Sequence, residues 1–281
     1  MPTCLNCGQE VPLSPGGEPQ QICEQCRSLA IARMRSQSQK PGFGILVRRM
    51  PVTSAIIAVN VLVFLAMTLS GASPMRPNRM ELLKWGADFA PLVVTTQPWR
   101  MLTSNYVHIG IFHLLVNMWC LWNLGMLAER IFERWTYILT YTVCGLAGSI
   151  ASLWWHPVGG SAGASGAVFG MAGALISALY LGHLPVHPSA LKSTLKSLAS
   201  FAGYNLLFGA VIPGIDNSAH IGGLLTGLGL GATLARHLTS SPDERNTWRN
   251  GVFAVAVIIL FCAFYFVRRS LLHAFGDGPG S

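Results

Sequence analysis

The stretch GASGAVFGMAGALISALYLG, Gly163 to Gly182, decides how this chain folds. It carries no charged side chain, it is long enough for a helix that crosses a bilayer, and it opens on a serine, Ser165, set between small residues. A hydroxyl at membrane depth is costly unless it faces a protein interior or a water-filled cavity. Ser165 is therefore a candidate functional residue before anything else about the chain is known.

The rest of the sequence fits that setting. Hydrophobic residues make up 51% of the chain and charged ones 11%, against about 25% charged in a soluble domain. Further apolar segments of membrane length lie near 52–70, 105–128, 136–156, 197–213, 217–236 and 250–267, which with 165–182 makes seven spans. The fifth, Ser197 to Pro213, is the shortest and is interrupted by glycine; without it the orientation of everything downstream would invert. The fold class expected is an all-α polytopic membrane protein. The net charge of +8 does not call for nucleic acid, because Arg27, Arg33, Arg35, Lys40, Arg48 and Arg49 all precede the first span. Positive charge there places the amino terminus in the cytoplasm. Alternation puts the loops at Arg130/Arg134, Lys192/Lys196 and Arg236 to Arg249 on the same side, with the long loop bearing Arg76, Arg79, Lys84 and Arg100 opposite. The polar, cysteine-bearing opening does not read as a cleavable signal peptide, and the first span is expected to serve as an uncleaved anchor in a multi-pass protein.

With this orientation the second, fourth and sixth spans all enter from the external side, and their outer parts hold the polar residues of interest. His108, His113 and Asn117 belong to the second, Ser165 to the fourth and His220 to the sixth. Their convergence on one leaflet points to a single external-side site. His113 and Asn117 are four apart and share a helix face; for a hydrolase they suit hydrogen bonding to a developing oxyanion, helped by the backbone N–H of Ser165 at a helix start. Taken singly, each polar residue also suits an interhelical hydrogen bond that only holds a bundle together.

Two glycine series run beside these residues: Gly166, Gly170 and Gly173 next to Ser165, and Gly223, Gly227 and Gly231 in line with His220. Small residues at this spacing let helix backbones approach closely, which brings a serine hydroxyl and an imidazole within reach of each other. Asp216 precedes His220 by four residues. An acid just before a helix reads as its N-cap, so a Ser-His dyad is the simpler reading than a triad.

Ahead of the spans, Cys4, Cys7, Cys23 and Cys26 form two CxxC pairs separated by fifteen residues. That spacing suits two knuckles presenting four thiolates to one tetrahedral zinc. Gly8 and the Pro15-Gly16-Gly17 turn let so short a segment double back, and the metal would supply much of its folding free energy. A cytoplasmic position disfavours two disulfides. Residues Ser36 to Gly44 read as a linker. The single cysteines Cys120, Cys144 and Cys262 are expected in buried apolar packing. The organisation expected is a zinc-ribbon-like module at 1–30, a basic linker at 31–50, a membrane core at 51–237 and a C-terminal extension with the seventh span at 238–281.

Several separate elements together resemble the rhomboid family of intramembrane serine proteases over about Arg48 to Arg236. They are Trp99-Arg100 in the first loop, His108-x4-His113-x3-Asn117, Gly163-x-Ser165-Gly166, and Ala219-His220-x2-Gly223 with the glycine series after it. The resemblance implies a six-helix core in which Ser165 is the nucleophile and His220 the general base and acid. His113 and Asn117 would line the oxyanion site, His108, Gly163 and Gly166 would support it, and Trp99-Arg100 would belong to a structural loop lying partly in the membrane. Phe169 stands where some members carry a tyrosine that packs on the catalytic histidine; it keeps the ring and loses the hydroxyl. The activity implied is cleavage of membrane-embedded protein substrates in the bilayer, at the external face of the cell membrane, with no catalytic cofactor. The seventh span and the cysteine module lie outside the shared core, and the module implies a cytoplasmic partner that the sequence does not name.

Other readings account for less. An inactive relative serving as a membrane-protein binder or chaperone would typically lack the serine or the histidine, and both are here. A transporter using His108, His113 and His220 as a proton or metal path leaves the serine tetrad unexplained and lacks an inverted internal repeat.

Overall fold

In the computed structural model the described residues are 2–12, 21–29, 47, 49–212 and 214–276. The Pro15-Gly16-Gly17 turn, the 36–44 linker, Arg48 and Pro213 fall outside them. The chain divides into two units at Arg49/Met50.

The first unit is built around sulfur. Cys4 N–H donates to the Gln9 carbonyl at 2.8 Å and Gly8 N–H to the Cys4 carbonyl at 2.9 Å, with Gly8 at φ +75° closing the knuckle. A bridge pairs Thr3 with Glu10, and Val11, Cys4 and Cys23 are its buried apolar residues. Segment 24–29 is helical.

The second unit is a helical bundle, and its helices are numbered here from its own start. They are α1 Pro51–Leu69, α2 Arg79–Lys84, α3 Ala90–Thr95, α4 Arg100–Thr103, α5 Ile111–Ile131, α6 Arg134–Trp155, α7 Ser165–Leu181, α8 Pro188–Val211, α9 Asn217–Ala235 and α10 Pro242–Gly276. Four of them, α1, α5, α6 and α10, are long and apolar enough to cross a membrane, and α7 is a shorter apolar helix. Two short strands, β1 Asp88–Phe89 and β2 Gly160–Ser161, pair antiparallel, a feature absent from the all-helical expectation.

The seven long helices fall on the seven apolar segments, with three differences in their bounds. The second starts at Ile111 rather than 105, because Gly110 at φ +89° breaks the chain direction after a 3-10 turn at Ser104–Tyr106. His108 is thus in a turn and not on the helix. The fifth begins at Pro188, whose fixed φ suits a first turn, so Lys192 and Lys196 lie on a helix instead of in a loop. The seventh begins at Pro242 and takes in Arg245 and Arg249. Cys120 and Cys144 are buried as expected, whereas Cys262 is exposed on α10, which packs on α6 through other residues and buries little of its surface.

Backbone-to-backbone packing of α7 on α9 forms the centre of the bundle. A Cβ added at Gly223, Gly227 or Gly231 would run into the backbone of Gly166, Gly170 or Ala174 respectively, so the two helices run parallel with their glycines in register. Gly148 of α6 meets Ala219 and Gly166 at the same level. Such contact dispenses with side chains and relies on van der Waals packing, the main attraction between helices in lipid. The larger side chains pack to one side of this seam, with Leu121, Tyr137, Met171 and Leu175 fully buried.

α10 braces the structure at both ends of α6. Near its start Arg245 Nε donates to Glu133 at 2.8 Å and Arg249 reaches the other oxygen at 3.4 Å. Near its end Arg268 Nε donates to the Val94 carbonyl at 2.7 Å, and Val267 and Leu271 pack with Val93, Val94, Ile150 and Leu153. The seventh helix is therefore joined to α3, in the loop that follows α1.

Candidate active site

Ser165 is the first residue of α7, and Gly163 two residues before it cannot take an ordinary side chain. Gly163 has φ +129°, and a Cβ there would meet His113 Cε1 at 2.5 Å and Nε2 at 2.9 Å. Two residues before the serine, the backbone therefore lies directly against the His113 imidazole. Ala164 N–H points at His108 Nε2 at 3.4 Å, and the His108 and His113 rings are 5.3 Å apart. His108 is fully buried. From its turn it holds the chain that leads into Ser165, whereas the sequence pattern had suggested a helix position.

The imidazole of His220 is placed by α9. Asp216 caps that helix by accepting from Ala219 N–H at 3.1 Å, and it also accepts from the Ser218 hydroxyl. This is the N-cap role read from the sequence. His220 Nδ1 is buried and has no hydrogen-bond partner among the described residues, so Asp216 does not orient it by direct contact. The ring is held by stacking instead: Phe169 and His220 lie 4.2 Å apart, nearly parallel at 11°. Phe169 is one turn beyond Ser165 on the same face of α7, so the face that carries the serine is the face against which the imidazole lies. Phe201 of α8 backs the phenyl ring at 5.7 Å.

His113 and Asn117 share a face of α5 as their spacing requires. Asn117 is buried and gives Nδ2 to the His113 carbonyl at 2.9 Å, which leaves its second amide hydrogen for another acceptor. Ser165 is partly exposed while His220 and Asn117 are buried. His113 and His108 thus lie against the Gly163–Ala164 backbone, Asn117 is bonded to His113, and His220 lies against Phe169 one turn beyond Ser165.

Trp99-Arg100 performs a different task. Arg100 Nη1 donates to the Leu83 and Ala87 carbonyls at 2.7 and 3.0 Å, Nε to Gln97 at 2.6 Å, and its guanidinium lies over the Trp99 ring. Arg100 thus satisfies the buried Ala87 carbonyl and gives a second donor to the Leu83 carbonyl, which also accepts from Gly86 N–H at 3.2 Å. The same loop carries β1, whose pairing of Asp88 with Ser161 and Phe89 with Gly160 ties it to the segment leading into Ser165.

Asp88 went unnoticed in the sequence, where a lone acid between Ala87 and Phe89 shows no pattern. It is 1% exposed and neither carboxylate oxygen has a hydrogen-bond partner among the described residues. Burial pushes its carboxyl up to about 7; the Ser149 hydroxyl and Arg100 nearby offset this only in part, and the Asp216 charge adds to it. A carboxyl raised in the folded state stabilises fully below its unfolded value of 3.8 and loses that contribution as pH rises through about 7. Asp88→Asn is therefore expected to abolish a fall in thermal stability between about pH 4 and pH 7. At about 1.36 kcal/mol per pH unit, that fall is of the order of 4 kcal/mol at most. Melting curves of both proteins across that range check this; parallel curves would mean that Asp88 stays ionised.

The four sulfurs of Cys4, Cys7, Cys23 and Cys26 lie within 4.8 Å of one another. Cys7 and Cys23 Sγ are 3.6 Å apart, close to the roughly 3.8 Å edge of a tetrahedron with metal–sulfur bonds of about 2.3 Å. Backbone N–H groups of Cys23 and Cys26 point at the Cys4 and Cys23 sulfurs at 3.2 and 3.4 Å. This donor set fits a metal ion.

Comparison with known proteins agrees with the geometry. The Rhomboid domain model matches residues 95–237, just over half of the chain and the part that holds every residue around Ser165. The Rhomboid protease GluP of Bacillus subtilis (strain 168) is 35% identical over 209 residues, 74% of this chain and 40% of that protein. RHOMBOID-like protein 6, mitochondrial, of Arabidopsis thaliana is 38% identical over 180 residues, 63% of this chain and 58% of the relative. RHOMBOID-like protein 4 of the same plant is 38% identical over 149 residues, 53% and 37%. The chain therefore spans between 37% and 58% of the length of these relatives. With the matched domain covering the bundle from the loop arginine to the end of α9, and the site built within it, this integral membrane protein belongs to the rhomboid family.

Proposed function

We propose that the protein is an intramembrane serine endopeptidase that cleaves membrane-embedded protein substrates. The observation that carries this reading is the stacking of His220 on Phe169, one turn from Ser165 on the same face of α7. His220 takes the Ser165 proton as the hydroxyl oxygen attacks a peptide carbonyl carbon; the imidazolium then protonates the leaving amine, and water deprotonated by His220 releases the acyl group from Ser165. The oxyanion that forms on the carbonyl oxygen is met by His113, by the second amide hydrogen of Asn117 and by the Ser165 backbone N–H at the start of α7. His108, Gly163 and Gly166 support the site by shaping the chain around the serine, and Trp99-Arg100 holds the adjoining loop.

A folded helix hides its carbonyls, so the substrate is a single-span protein whose helix unwinds near small or helix-breaking residues. Water reaches the site from the external side, with the amino terminus and the cysteine module in the cytoplasm, in a cell membrane. The functional organisation follows the sequence reading: a module at 1–30, a linker at 31–50, the catalytic core at 51–237 and the seventh helix in 238–281. The test is to incubate purified protein in lipid vesicles with a panel of single-span proteins and map the products by mass. Cuts inside the apolar segment support the reading, and an inert wild type across the panel would favour a binder or chaperone that retains the site without using it.

Zinc is the metal that four thiolates of this spacing suit, in a structural role that takes no part in catalysis. One equivalent per chain is expected by elemental analysis, falling below about a tenth in Cys23→Ser. Chelation is expected to unfold the module and leave peptide cleavage in detergent within about twofold, since no step uses the ion. Loss of cleavage on chelation, with the bundle still folded, would overturn that separation.

A further inference from the structure

α10 leans on α6 and touches α9 through Trp248 and Phe253, and a groove of about 1100 Å³ is lined by all three helices. Its walls are Val143 of α6, Gly229 and Leu230 of α9, and Gly251, Val255 and Ile259 of α10. An added Cβ at Gly229 or Gly251 would find no atom within 4 Å among the described residues, so these glycines widen the groove instead of closing a contact, in contrast to Gly227 on the seam. At the end where α10 begins, a separate polar chamber of about 370 Å³ holds Arg130, Glu129, Glu133, Arg245 and Arg249.

His237 and Trp248 line both spaces and form the gate between them, their rings 4.8 Å apart. Trp248 is fixed there by its indole N–H, which donates to the Thr233 carbonyl at 2.8 Å. Aromatic rings with an apolar body and a polar edge sit at the level of lipid headgroups. In the chamber, Arg245 and Arg249 share the single carboxylate of Glu133, and Glu129 is engaged by Thr53. The chamber itself holds three arginines against two glutamates, one formal positive charge, while Asp243 and Glu244 line the groove side of the gate.

We propose that this composite site binds one glycerophospholipid with an ethanolamine headgroup, its phosphate in the arginine chamber and an acyl chain in the α9/α10 groove. Asp243 and Glu244 line the groove beside the gate, where they attract the headgroup ammonium and repel a lipid of net negative charge. The phosphate shares with Glu133 the planar guanidinium pair of Arg245 and Arg249. An apolar cleft at membrane depth takes up hydrocarbon in any case; the charge arrangement at its end selects which lipid. The site lies apart from Ser165 and His220, so the proposal is independent of catalysis.

The test is native mass spectrometry of the full chain in detergent, titrated separately with dioleoyl phosphatidylethanolamine, dioleoyl phosphatidylglycerol and inorganic phosphate. One phosphatidylethanolamine is expected to be retained per chain, with phosphatidylglycerol at least about tenfold weaker and phosphate not retained. Arg249→Gln removes a charged phosphate contact and is expected to weaken retention about tenfold or more. Gly251→Leu fills the groove without touching the Glu133 ion pairs, and it is expected to lower retention as strongly while the helical circular dichroism is unchanged. A wild type that holds no phosphatidylethanolamine, equal retention of phosphatidylglycerol, or full retention by folded Gly251→Leu would each overturn the proposal. So would cross-links showing the groove filled by a helix of a second chain.

Discussion

Ser165→Ala and His220→Ala are each expected to reduce cleavage of a single-span substrate by about 10⁴-fold or more while the protein keeps its helical spectrum and melting temperature. A nucleophile and its base act as a unit, so removing either costs about as much as removing both, and the double variant is expected to be no worse than the singles. The size of the effect follows from the wiring of the site. Asp216 is committed to the α9 cap, and His113 Nδ1 accepts from the Ile109 N–H at 3.4 Å, which leaves its other nitrogen a donor and not a base. Both substitutions are small enough for the fold to tolerate, since Ser165 is partly exposed and Phe169 still packs on Phe201 when the imidazole is gone. Rates measured in lipid vesicles decide the matter, and a Ser165→Ala protein that still cuts within tenfold of wild type would remove the serine from the mechanism.

The second large effect is on the fold. Gly227→Leu is expected to destabilise the bundle by more than the 1–3 kcal/mol typical of an overpacked core. The reason is that the new Cβ falls inside van der Waals contact with the Gly170 carbonyl oxygen and Cα. Backbone atoms cannot swing aside as a side-chain tip can, so α7 and α9 must separate, and Phe169 with Ser165 then moves away from His220. Loss of cleavage is expected alongside the loss of stability. Gly229→Ala, two residues further along the same helix, has open space around its Cβ and is expected to match wild type or gain slightly from helix propensity. Thermal unfolding in detergent compares the two; equal melting points for Gly227→Leu and wild type would mean that the seam is looser than the glycine register requires.

Why some of this was legible in the sequence and some was not comes down to which interactions leave a periodic trace. The glycine series on α7 and α9 repeat at helical spacing, and so the close seam between the helices that carry Ser165 and His220 could be read directly. The same holds for the shared face of His113 and Asn117, and for the paired CxxC knuckles. His108 was misplaced because the apolar run from Asn105 onward reads as continuous helix, whereas the break depends on Gly110 taking a positive φ beside the Met75 carbonyl, a contact thirty-five residues away in the chain. The β1–β2 pair is two residues per strand, too short for alternation to show. Asp88 is a single acid in a loop, and only tertiary structure reveals that it is buried with no hydrogen-bond partner to its carboxylate among the described residues. α8 extends further than its apolar stretch because a helix needs one apolar face and no more, and Lys192 and Lys196 lie on its exposed side. The role of α10 was not written in its hydropathy at all; it comes from Arg245, Arg249 and Arg268, which tie it to α6 and to the loop that carries α3.

A fluorophosphonate reacts with a serine only when a neighbouring base activates it, so peptide mapping after treatment of the folded protein in lipid decides whether Ser165 and His220 work together. A single stoichiometric adduct on Ser165 is expected in the wild type, none in His220→Ala, and loss of substrate cleavage in proportion to labelling. An adduct on another serine, or undiminished cleavage by fully labelled protein, would contradict the dyad.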